Sequence, residues 1–147
     1  MALQEILIED MKYAMKNGDK AAVMLIRSLR AAIKNAEIEK QKTFTDEDIY
    51  PVIAKAIKQR KESVEMFKAG GRQDLVDNEE NEIALLQKYL PAQMSKEEVI
   101  VVISRIIATS GAQSIKDKGK VMPQAIAELK GKADGTLINQ VVTELLN

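Results

Sequence analysis

Two Lys-Gly-Lys triplets, Lys118-Gly119-Lys120 and Lys130-Gly131-Lys132, carry the clearest chemistry in this sequence. Lysines beside glycine-bearing helix ends suit phosphate. Exposed backbone N–H groups and the helix dipole favour anions there, and glycine lets a backbone approach closely. Over residues 116–134, five lysines face Asp117, Glu128 and Asp134, a local excess of five minus three, or two. A nucleotide-binding P-loop is excluded: Val121 follows Lys120, and Ser114 stands where the first glycine belongs. The same residues also read as helix punctuation. Gly119 then permits close helix packing, Gly131 ends a helix in the left-handed conformation, and Asp134-Gly135 makes a turn. In that reading Val121, Met122, Ile126 and Leu129 are core.

The stretch KAIKQRK (55–61) is the second basic cluster, with Lys58, Arg60 and Lys61 as its candidate phosphate contacts. It could equally pair with the acidic run Asp74, Asp77, Glu79, Glu80 and Glu82, across a hairpin at Gly70-Gly71. Lys58–Glu62 and Lys61–Glu65 also have the i, i+4 spacing of helix ion pairs. A third set, Arg27, Arg30 and Lys34, falls at i, i+3 and i+7 and reads as a solvated helix face. Arginine's planar fork suits phosphate or carboxylate, which leaves an RNA or protein contact open there.

Nothing else offers catalytic chemistry. The chain has no histidine and no cysteine, so the commonest general base, thiolate nucleophiles and disulfides are absent. Asp46-Glu47-Asp48 fits a helix first turn better than a metal loop, which would alternate its acids around a glycine. Ser63 with Lys61, and Ser114 with Lys116, make poor nucleophile pairs without a pocket. No catalytic residue, no metal and no cofactor are expected. Net charge is zero, with 22 basic and 22 acidic residues, so a dedicated DNA binder is not expected and any nucleic-acid contact must be local. The few aromatics, Tyr13, Phe44, Tyr50, Phe67 and Tyr89, leave residues 92–147 with none on which to stack bases. No stretch reads as a membrane span or signal peptide, so a cytoplasmic location is the default expectation.

The elements that would position these residues are helices throughout. Apolar residues recur every three or four positions and never alternate with period two. Seven helices are expected: about 2–17, about 20–42, a third running to about Ala69, about 72–89, about 96–109 behind a Ser95–Glu98 capping box, a sixth capped by Ser114 or Asp117 and running to Lys130, and a seventh starting at Asp134 or Thr136 and ending near Leu146. Thr45 with Asp48 resembles a capping box for the third helix, but Pro51 lacks an N–H, so either Asp48 is the true cap or the helix kinks near Pro51. The seven methionines read mainly as core filler, with Met11, Met15, Met24 and Met66 also able to line a partner surface. Leu90-Pro91 is the natural boundary. The expected architecture is all-α, with a four-helix bundle-like part over 1–91 and a three-helix part over 92–147.

Two stretches, IKQRKESVEMFKAGGRQDLVDNEENEIALLQKYLPAQMS (57–95) and DKGKVMPQAIAELKGKADGTLINQVV (117–142), resemble the YqeY-like proteins. That family is similar to the C-terminal helical and tail region of the GatB subunit of tRNA-dependent amidotransferases. Pro123 departs from the pattern, which usually has a small residue there. The resemblance implies two helical subdomains and an association with tRNA, with a tRNA-processing protein, or with carbon–nitrogen ligase activity in translation. The amidotransferase's catalytic parts have no counterpart in 147 residues, so no enzymatic activity is expected of this chain alone. The expectation is a non-catalytic accessory module that contacts tRNA through Lys118, Gly119, Lys120, Lys130, Gly131 and Lys132. The alternative is a protein–protein interaction module that binds no RNA.

Overall fold

The computed structural model describes all residues, Met1–Asn147. It contains helices α1 (Leu3–Lys16), α2 (Lys20–Lys40), α3 (Asp46–Ala69), α4 (Gln73–Gln87), α5 (Lys96–Ser110), α6 (Lys118–Leu129) and α7 (Gly135–Leu146). A single 3-10 turn, Ile115–Asp117, leads into α6, and there are no strands. The all-α expectation holds. By its internal contacts the chain divides into two compact units, Met1–Leu90 and Pro91–Asn147.

In the first unit, α1 packs on α2 and α3 packs on α4. Leu7, Ile49, Ile53 and Leu86 are almost wholly buried at the centre, with Leu29 and Ile33 beside them. Three polar ties fix the frame. The Leu3 N–H, a free donor at the start of α1, donates to Asp46 Oδ1 at 2.9 Å. Glu37 accepts the Phe44 N–H at 2.7 Å, holding the α2–α3 connection so that Phe44 reaches the core. Tyr89 OH donates to Asp10 Oδ2 at 2.7 Å. Burial, and then that bond to a carboxylate, pushes the Tyr89 phenol above its ordinary value.

Helix α3 begins with the capping box that Thr45 and Asp48 resemble in the sequence, so Asp48 is not the N-cap. Thr45 caps it: the Thr45 side chain accepts the Asp48 N–H and Asp48 reaches back to the Thr45 N–H. The helix continues through Pro51. Pro51 leaves the Glu47 carbonyl without its helical donor, and both residues are exposed, so water can reach that oxygen. Pro123 likewise lies inside α6 and deprives the Gly119 carbonyl of its partner.

In the second unit, Val99, Ile103 and Ile106 of α5 meet Val121, Ala125 and Leu129 of α6 and Ile138, Val141, Val142 and Leu146 of α7. One backbone and one side-chain hydrogen bond pin the segment before α5 to the α6–α7 junction: Met94 N–H donates to the Lys132 carbonyl at 2.8 Å and Gln93 Nε2 to the Gly131 carbonyl at 2.9 Å. Two expectations about the interior fail. Ile126 is 47% exposed, because the buried row of α6 steps by four through residues 121, 125 and 129 and gives its place to Ala125. Met15, Met24 and Met66 are exposed rather than core filler.

Candidate nucleic-acid interface

The two Lys-Gly-Lys triplets lie at opposite ends of α6. Lys118 and Lys120 are its first and third residues, while Lys130 is its C-cap and Lys132 follows. Twelve residues at 1.5 Å rise separate the ends by about 18 Å, too far for one phosphate to bridge.

The two glycines have different reasons. Gly131 has φ +76°, a left-handed helix end that glycine adopts without strain. Its carbonyl is taken by Gln93, so the second triplet's backbone belongs to the fold. Gly119 is not a close-packing glycine as expected: a Cβ built there meets nothing within 4 Å. Asp134 and Gly135 form the cap and first residue of α7 rather than a free turn.

The acids of this region are all engaged within the fold. Asp117 Oδ2 accepts the Gln113 N–H at 2.9 Å, and its Oδ1 lies 3.7 Å from Lys120 Nζ. The Gln113 bond first, and then Lys120, hold the Asp117 carboxyl below its ordinary range. Glu128 pairs with Arg105 across α5 and α6. Asp134 Oδ1 accepts the Thr136 N–H at 2.9 Å and caps α7. Lys116, Lys118, Lys130 and Lys132 take part in none of the ion pairs of the second unit. The first turn of α6 contains no acid and two lysines, positive charge at the positive end of the helix dipole.

The second cluster divides. Arg60 leaves it for the hairpin, donating through Nε to Glu82 Oε2 at 2.8 Å and through Nη1 to the Ala56 carbonyl at 3.0 Å. Lys58 and Lys61 stay exposed, and neither forms the expected pair with Glu62 or Glu65. No group of three or more Asp or Glu side chains is arranged to hold a metal ion. No single helix is long and apolar enough to cross a membrane.

A sequence model of the family described as "Yqey-like protein" matches residues 4–146. The chain belongs to the YqeY-like family. Curated fungal proteins named "Altered inheritance of mitochondria protein 41, mitochondrial" are similar to it. The one from Pyrenophora tritici-repentis is 30% identical over 142 residues, covering 93% of this chain and 77% of the relative. That from Kluyveromyces lactis is 39% identical over 104 residues, covering 69% and 56%. In Lachancea thermotolerans the identity is 41% over 85 residues, covering 57% and 46%. The YqeY-like chain thus spans from about half to three quarters of these relatives' lengths. Their names overturn the cytoplasmic expectation, since they designate mitochondrial proteins. That expectation rested on the lack of a targeting segment, and helix-forming residues that bury a core carry no information about compartment.

Proposed function

We propose that this YqeY-like chain is a non-catalytic helical module that contacts tRNA through the sugar-phosphate backbone, using the lysines at the two ends of α6. One observation carries the reading: Lys116, Lys118, Lys130 and Lys132 have no carboxylate partner, while Asp117, Glu128 and Asp134 are all engaged within the fold. The resemblance to the amidotransferase tail supports the choice of tRNA. A separation of about 18 Å between the triplets suits an extended backbone rather than a single phosphate, and zero net charge suits weak, salt-sensitive contact.

The test is tRNA binding by fluorescence anisotropy at about 50 and 200 mM salt. Wild type should bind at the lower concentration and weaken steeply at the higher. The variant Lys118→Glu/Lys132→Glu should bind more weakly, with a salt slope smaller by about two. No binding at low salt would end the proposal, and binding untouched by the double substitution would remove it from α6.

A second reading, a protein-interaction module without RNA, is favoured by the exposed apolar residues of the first unit. Tyr13 and Met24 are each 71% exposed. Met24 also borders a groove of about 500 Å³ between α2 and α4, with Leu25 and Leu85 in its walls. Recovery of one stoichiometric protein partner after nuclease treatment would favour this reading.

A further inference from the structure

The arginines of the chain fall into two groups. There are five. Three hold a carboxylate: Arg60 with Glu82, Arg72 with Asp74, and Arg105 with Glu128. Arg27 and Arg30 hold none, and Arg30 Nη1 donates weakly to the sulfur of Met11, at 3.9 Å. Those two unpaired guanidinium groups border the same groove. It lies between α1 and α2, encloses about 370 Å³, and is also lined by Lys34, which forms no ion pair either. The buried side chains of Leu7 and Ile33 border it from below. Its single acid, Glu37, is already committed, accepting the Phe44 N–H at 2.7 Å and the Gln4 amide at 3.4 Å. Three cations therefore face a concave site that holds one carboxylate, which forms no ion pair with them, a local excess of two positive charges (three minus one).

We propose that this α1–α2 groove binds a ligand carrying two or more phosphate groups, held by Arg27, Arg30 and Lys34. The volume falls within the range of small-molecule sites, about 300–1,000 Å³. Arg27 and Lys34 are seven residues apart, about 10 Å along the helix, so phosphates spaced along a ligand match the three cations better than a single phosphate does. Guanidinium groups, with their forked donors, match phosphate oxygens two at a time. The site is separate from the α6 lysines and stands or falls without them.

The test uses the full chain, with inorganic pyrophosphate and ADP as probes, titrated by calorimetry and by amide NMR at about 50 mM salt. Saturable binding is expected, with the amide signals of Gln4, Ala31 and Lys34 shifting. Arg27→Ala/Arg30→Ala, at two exposed positions, should keep its helical circular dichroism and bind at least about tenfold more weakly. Arg105→Ala, which removes an arginine already paired, should bind as wild type does. Tighter binding of ADP than of pyrophosphate would assign the phosphates to a nucleotide, and equal or weaker binding to an inorganic chain. The proposal is overturned if neither probe saturates, if the Arg27/Arg30 variant binds undiminished, or if Arg105→Ala loses binding equally. Lys118→Glu/Lys132→Glu should leave pyrophosphate binding intact, which keeps this result apart from the fate of the tRNA reading.

Discussion

Asp48 holds its carboxyl at about 2, against an ordinary 3.8, chiefly because it accepts the Thr45 N–H and next because the Lys42 ammonium lies 3.1 Å away. The folded value is depressed, so the contribution to stability is present above the unfolded value, near pH 4. It is lost as pH falls from about 4 towards 2. Asp48→Asn should therefore flatten the acid limb of the stability profile in that window, as read from urea midpoints between pH 2 and 5. If wild type and variant lost stability in parallel on acidification, the cap would not be the source. Gly119 makes the opposite kind of prediction. Its φ is not in the left-handed range and an added Cβ touches nothing, so glycine there only costs backbone entropy. Gly119→Ala should raise the denaturation midpoint, by about 0.5 kcal/mol in free energy. A loss of stability would mean that Gly119 adjusts its carbonyl to the ring of Pro123.

Among the elements, the α3–α4 hairpin tests how a basic helix face is used. Arg60 is largely shielded and joins Glu82 to the Ala56 carbonyl, whereas Lys58 and Lys61 project into solvent. Arg60→Ala should cost about 1 kcal/mol, discounted because Glu82 remains partly solvated. Lys58→Ala and Lys61→Ala should each stay within about 0.5 kcal/mol in the same chemical-denaturation assay. Comparable losses at all three positions would indicate that the whole face packs or pairs. The sequence made this hairpin legible through Gly70-Gly71 and through basic and acidic runs of opposite sign. It did not say which cation would be taken, because spacing identifies a face and not the one side chain whose fork meets a carboxylate. The same limit explains the interior. Periodicity found Val121 and Leu129 but chose Ile126 over Ala125. A helix tells which residues share a side, while the neighbour it packs on decides the centre of that side. Caps were the most readable signals, because Thr45, Ser95 and Asp134 act through bonds to N–H groups two or three residues away. The α1–α2 groove was half legible: the spacing of Arg27, Arg30 and Lys34 was plain, but only the fold shows Glu37 beside them, bonded to the Phe44 N–H and in no ion pair with them.

For the molecule as a whole, the decisive feature is that each unit closes a core of its own. The first is built around Leu7, Ile53 and Leu86, the second around Ile103, Val121 and Val141, and the two clusters share no residue. All five aromatic residues belong to the first unit. Tyrosine emission therefore reports on Met1–Leu90 alone, while far-ultraviolet circular dichroism reports on both units. Ile103 is fully buried, and Ile103→Ala removes its side chain from the smaller core, at a cost of about 2–4 kcal/mol. A unit of fewer than sixty residues has little stability to lose. The circular dichroism of the variant should accordingly show an early transition at low urea that tyrosine emission does not follow. Ile53→Ala, in the larger core, should instead move the tyrosine transition. Coincident shifts of both probes in Ile103→Ala would show that the units unfold as one cooperative body. Separate transitions would mean that the α6 lysines and the α1–α2 groove ride on supports of different stability. The lysine surface would then be lost first as the chain is warmed or denatured, and tRNA binding should disappear before pyrophosphate binding does.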